Sequence, residues 1–157
     1  MVAKTNVANR KVTVEEAQNY IAKTDQIRQR VADKKLTDAD KKELLELDHQ
    51  FNNNAPLRIL VKYLQKINYS EKYQDDTYEY RYVSLSRAHI NAIMASYAND
   101  IVIVPLLQLL LQKAKDKQIP TEQEWRGVGI VQSLGWVCYG IYLQDGFTLL
   151  FKRPLPK

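Results

Sequence analysis

Residues 132–156 read Gln132-Ser133-Leu134-Gly135-Trp136-Val137-Cys138-Tyr139-Gly140-Ile141-Tyr142-Leu143, then Gln144-Asp145-Gly146-Phe147, then Thr148-Leu149-Leu150-Phe151-Lys152-Arg153-Pro154-Leu155-Pro156. Two runs rich in aromatic and branched residues, about 135–143 and 148–153, flank an Asp-Gly pair. Asp-Gly is a strong hairpin signal because glycine tolerates the positive φ of a tight turn. The stretch therefore predicts two antiparallel strands in direct succession.

Working outward, residues from about 67 alternate aromatic or β-branched positions with polar ones, which is the strand pattern. Strands over about 67–73 and 78–85 are predicted, turning around Gln74-Asp75-Asp76-Thr77. Helical patterns occupy the remainder. Thr13 with Glu16 forms a capping box for a helix over about 14–33, and Thr37 with Asp40 starts a second that Asn52-Asn53-Asn54 ends. Pro56 opens a short element through 67 that reads as helix or strand. Helices follow at about 87–97 and 105–117, and Thr121 with Glu124 caps a short one containing Trp125. The sum is an α+β fold: a four-stranded antiparallel sheet with helices on one side. Residues 1–60 form a helical extension, and 61–157 form the main domain with a helical insert at about 97–118. The insert's Ile101 to Leu111 run is apolar all round, predicting a buried helix that enlarges the core; a protein-binding patch or oligomer contact is the sharper alternative.

Together with Tyr69-Ser70-Glu71-Lys72-Tyr73 and Asp75-Asp76-Thr77-Tyr78-Glu79-Tyr80-Arg81, the C-terminal stretch resembles the Cks family, the small regulatory subunits of cyclin-dependent kinases. The resemblance covers 67–85 and 121–156. It implies a phosphate pocket formed by Lys72, Arg81, Ser133, Trp136 and Arg153. A phosphothreonine brings about −1.5 to −2 charges and three acceptor oxygens, so its receptor needs several converging donors. In that chemistry Arg81 and Arg153 hold oxygens, Lys72 adds a mobile ammonium, Ser133 donates its hydroxyl and Trp136 is an apolar wall. Taken singly, each cation is an ordinary solvated strand-edge residue and Trp136 an ordinary core residue. The implied partners are a cyclin-dependent kinase, phosphothreonine-containing proteins and a ubiquitin ligase.

In the family, the connection between the last two strands carries a His, a Pro-acid-Pro segment and another His, serving as kinase contact and strand-exchange hinge. Here that contact falls on Tyr142, Gln144 and Asp145, and only the acid persists. Loss of both prolines removes the rigid hinge, so a monomer is expected when the protein is free. Tyr82 and Cys138 stand where the family usually has histidines, and Ser86 where it usually has proline.

Composition narrows the alternatives. The chain has 157 residues, 45% of them apolar, and a net charge of +5. The excess lies in residues 1–67, with 13 Lys/Arg against 9 Asp/Glu, whereas 68–157 hold 10 against 9. Without a basic run, that excess reads as a solvated helical surface. One cysteine forms no internal disulfide, consistent with cytosol or nucleus. No signal peptide is evident at the N-terminus, and the longest apolar run falls short of a membrane span, so a soluble protein of nucleus and cytoplasm is expected.

An enzyme is disfavoured, with no cofactor or metal implied: Gln144 occupies the position where a cysteine phosphatase built on Cys138 would need arginine, and His49 and His89 stand alone. A third class is a single-stranded nucleic-acid binder, stacking bases on Tyr69, Tyr73, Tyr78, Tyr80 and Tyr82.

Overall fold

The computed structural model describes residues 12–96 and 103–156. The chain divides into two compact units, Met1–Lys62 and Tyr63–Lys157. The first eleven positions of the helical extension, and the start of the insert at 97–102, lie outside the described residues.

In the first unit, α1 (Val14–Ala32) and α2 (Asp38–Asn53) begin where their caps predict. Thr13 Oγ1 accepts the Glu16 N–H at 3.1 Å, and the Thr37–Asp40 box closes in both directions at 3.0 and 3.1 Å. The two helices run antiparallel. Tyr20 near the start of α1 stacks on Phe51 near the end of α2 at 5.9 Å between centroids, while Arg30 near the end of α1 pairs with Asp40 at the start of α2. Backbone and side-chain bonds from Thr37, then Arg30, hold the Asp40 carboxyl below its ordinary range against the opposing effect of burial. Helix α3 (Ala55–Gln65) resolves the element after Pro56 as helix and crosses the division at Lys62.

The second unit holds an antiparallel sheet of β1 (Asn68–Tyr69), β2 (Tyr73–Gln74), β3 (Tyr78–Ser86), β4 (Val137–Leu143) and β5 (Gly146–Pro154). Its order is β1-β3-β5-β4, with β2 also pairing β3. The strand expected over 67–73 is thus two short pieces. Ser70 causes the break: its N–H still reaches the Tyr82 carbonyl at 2.9 Å, but its Oγ takes the Tyr82 N–H at 2.8 Å in place of a backbone carbonyl. The chain rejoins the ladder at Tyr73 opposite Tyr80.

Strand alternation sends Val83, Leu85, Phe147, Leu149 and Phe151 to one face, where all are buried. Helices α4 (Arg87–Ser96), α5 (Ile103–Asp116) and α6 (Glu122–Gly127) supply the covering layer. Trp125 of α6 meets Phe151 edge-on at 5.0 Å. The Thr121–Glu124 box closes, with Thr121 N–H to Glu124 Oε1 at 2.8 Å and Glu124 N–H to Thr121 Oγ1 at 3.2 Å. Tyr63 donates to the Val128 carbonyl at 2.6 Å, tying the end of α3 to the segment after α6. The uniform burial expected of the insert does not hold. Ile103, Val104, Leu107, Leu110 and Ala114 of α5 are buried, whereas Gln108, Leu109 and Gln112 face solvent. The helix is one-sided because only one side of it meets the sheet.

Candidate phosphate-binding site

Arg81 on β3 and Arg153 on β5 share the core-facing side of the sheet but lie at its end, beyond the apolar layer. Register places Arg153 opposite Glu79 and Arg81 opposite Phe151, so the two arginines are diagonal neighbours on adjacent strands. Trp136, immediately before β4, is 4% exposed and lies between the two contacts. The Arg153 guanidinium carbon is 4.7 Å from its ring centroid and that of Arg81 is 5.7 Å away.

Each arginine is held by its own partners. The Ser70 carbonyl, turned out of the ladder by the break after β1, accepts from Arg81 Nη2 at 3.3 Å. Tyr69 packs its ring 5.6 Å from the same guanidinium, and its hydroxyl accepts the Val131 N–H at 2.9 Å. Burial pushes the Tyr69 phenol up from its ordinary value. This bond anchors the segment that carries Ser133 and Trp136 onto the first strand. Arg81 Nε is buried and has no hydrogen-bond partner among the described residues.

Arg153 Nη1 donates to Ser133 Oγ at 2.8 Å, while Nε and Nη2 both engage one oxygen of Glu79. The arginine stem runs along Gly135. That residue has φ +97°, which disfavours any side chain there, while a Cβ would make ordinary contact with Arg153 Cδ at 3.4 Å. Four of the five residues singled out from sequence, Arg81, Ser133, Trp136 and Arg153, are therefore brought together. Lys72 sits on the exposed link between β1 and β2, and makes no hydrogen bond or ion pair among the described residues. Glu79 and Tyr69 are the members that pattern reading passed over; the one visible signal was their presence in the two quoted upstream motifs.

The family model described as cyclin-dependent kinase regulatory subunit matches residues 67–155, over half of the chain. The chain belongs to the Cks family. It is similar to the cyclin-dependent kinases regulatory subunit of Saccharomyces cerevisiae, 42% identical over 96 residues, which is 61% of this chain and 56% of the yeast protein. It is also similar to regulatory subunit 2 of Arabidopsis thaliana, at 39% over 90 residues, covering 57% of this chain and 83% of that one. Regulatory subunit 2 of Xenopus laevis is 36% identical over 93 residues, 59% of this chain and 91% of the other. The matched region thus spans little more than half of the yeast relative's length.

Within this Cks domain the sheet's second face carries an aromatic cluster. Tyr80 stacks on Tyr73 at 5.5 Å and meets Tyr139 edge-on at 6.1 Å, while Lys152 Nζ lies 5.0 Å from the Tyr78 ring centroid. Asp75 accepts the Tyr80 hydroxyl at 2.6 Å, which holds the carboxyl below its ordinary range and pushes the phenol up to about 12. Tyr69 does not belong to this group, so the five tyrosines grouped from sequence as a base-stacking set do not form one surface. Tyr142, Gln144 and Asp145 are exposed at the β4–β5 end. Asp145 and Gly146 have φ of +43° and +101°, the tight turn that Asp-Gly predicts.

Proposed function

We propose that this chain is a non-catalytic regulatory subunit of a cyclin-dependent kinase that docks phosphothreonine-containing proteins on Arg81, Arg153, Ser133 and Trp136. The observation that carries the reading is the convergence of two guanidinium groups, from strands β3 and β5, on a single buried indole, with the Ser133 hydroxyl bonded to one of them. Arginine forks suit the oxygens of a phosphate, and Trp136 offers an apolar wall to the threonine methyl. Lys72, on a free side chain nearby in sequence to Tyr73 and β3, adds an ammonium able to close over a bound anion. Ordering and desolvation oppose such contacts, which favours micromolar affinity for a single phosphate, raised by avidity on multiply phosphorylated proteins. Holding a primed protein beside the kinase raises the effective concentration of further sites. That is the route to multisite phosphorylation and cell-cycle progression.

The kinase contact is assigned to the β4–β5 end through Tyr142, Gln144 and Asp145. A regulatory rather than catalytic role accords with Cys138, whose thiol is buried and pushed up to about 11, far from a nucleophilic thiolate at neutral pH.

Calorimetric titration with a phosphothreonine peptide tests the pocket. Saturable binding is expected, with none by the folded Arg81→Ala/Arg153→Ala variant; unchanged binding by that variant removes the assignment. Titration with a cyclin-dependent kinase tests the second surface, where Asp145→Lys is expected to weaken the complex. Peptide binding without kinase binding would leave a phosphothreonine reader with a different partner, a reading favoured by the loss of the Pro-acid-Pro connection.

A further inference from the structure

The Arg153 guanidinium has five N–H donors in one plane. Its side edge, Nε and Nη2, is taken by a single oxygen of Glu79, and one donor of Nη1 goes to Ser133 Oγ at 2.8 Å. One N–H on each terminal nitrogen is left over as a free donor. The Glu79 side chain is 14% exposed, and its residue pairs with Arg153 across the β3–β5 ladder. The carboxylate is thus fixed by the sheet itself rather than by a mobile loop. Trp136, with its ring centroid 4.7 Å from the guanidinium carbon, restricts the remaining rotations.

Resting on the docking reading above, we infer that Glu79 is a positioning residue of the phosphate site: its carboxylate clamps the side edge of Arg153 so that the remaining Nη1 and Nη2 donors face the bound phosphate. Charge alone argues the other way. A carboxylate beside an anion site repels the anion, so its removal would tighten binding if Glu79 were merely a neighbour. Orientation reverses that sign, because a fork that must be ordered at the moment of binding loses affinity.

The opposed signs make the test decisive. Glu79→Gln keeps the size of the side chain and removes the charge; its affinity for a phosphothreonine peptide is expected to fall about tenfold, a charge-assisted bond's worth of lost orientation. In an Arg153→Lys background the same substitution is expected to leave affinity unchanged or improve it, since an ammonium has no fork to aim. All titrations are made below each variant's melting transition, followed by circular dichroism. Unchanged or tighter binding by Glu79→Gln in the arginine background overturns the inference, as does an equal loss in both backgrounds. A measurement without substitution guards against a variant that does not fold: in the unliganded chain the Arg153 Nε–H resonance is expected to be protected from solvent exchange. A freely exchanging Nε–H overturns the clamp. Failure of the unsubstituted chain to bind the peptide is a separate result, which overturns the docking reading itself.

Discussion

Gly146 shows how narrowly one residue is constrained. Its φ is +101°, and a Cβ built on it would lie 2.0 Å from the Leu85 carbonyl oxygen and 2.9 Å from the Arg87 nitrogen. These are backbone atoms at the β3–α4 junction, and the neighbouring Asp145 carbonyl accepts the Arg87 N–H at 3.0 Å. The turn therefore holds the start of α4 as well as joining β4 to β5. Gly146→Ala must shift backbone and strain φ together, so a loss of about 2–4 kcal/mol is expected in urea unfolding. Here sequence reading succeeded for a local reason: the Asp-Gly signal is a property of two adjacent residues. Glu79 is the opposite case. Apart from its place in the Asp75–Arg81 motif, nothing near it in the chain distinguishes it from an exposed strand glutamate, because its partner Arg153 lies 74 residues away.

At the scale of elements, the caps of α2 and α6 were legible because a capping box is complete within four residues. The α6 box also reaches outside itself. Glu124 Oε1 accepts from Lys113 Nζ of α5 at 2.6 Å, joining the insert helix to the short helix that carries Trp125. Hydrogen bonding to Lys113, followed by the Thr121 N–H, holds the Glu124 carboxyl below its ordinary value. A carboxyl depressed in the folded state contributes stability that is complete above its unfolded value and is lost as pH falls through its folded value. A Lys113→Met variant is therefore expected to melt below the parent at pH 7, with the two melting temperatures converging as pH drops below about 4.5. A pH-independent difference would assign the effect to packing instead. The break after β1 shows where element reading fell short: an alternating pattern does not reveal that Ser70 Oγ will displace a backbone carbonyl, yet that substitution frees the carbonyl that meets Arg81.

At the scale of the molecule, the β4–β5 pairing closes within one chain, with Leu143 opposite Phe147 and Tyr142 opposite Thr148. A tight turn with positive φ at both Asp145 and Gly146 favours that closed hairpin over an opened strand available for exchange. Light scattering at micromolar concentration is accordingly expected to give a mass near 18.3 kDa, and a mass near twice that value would contradict it. The sequence by itself determined the α+β class, the closing hairpin and the capped helix starts, because turn chemistry, caps and strand alternation act over a few residues; the arginines, serine and tryptophan were named only through the family resemblance. Only the tertiary structure decided which side of α5 is buried, that the first strand is broken, and that Glu79 and Tyr69 hold the two arginines. Those outcomes depend on strand register and on which surfaces meet, and both arise from pairings between residues far apart in the chain.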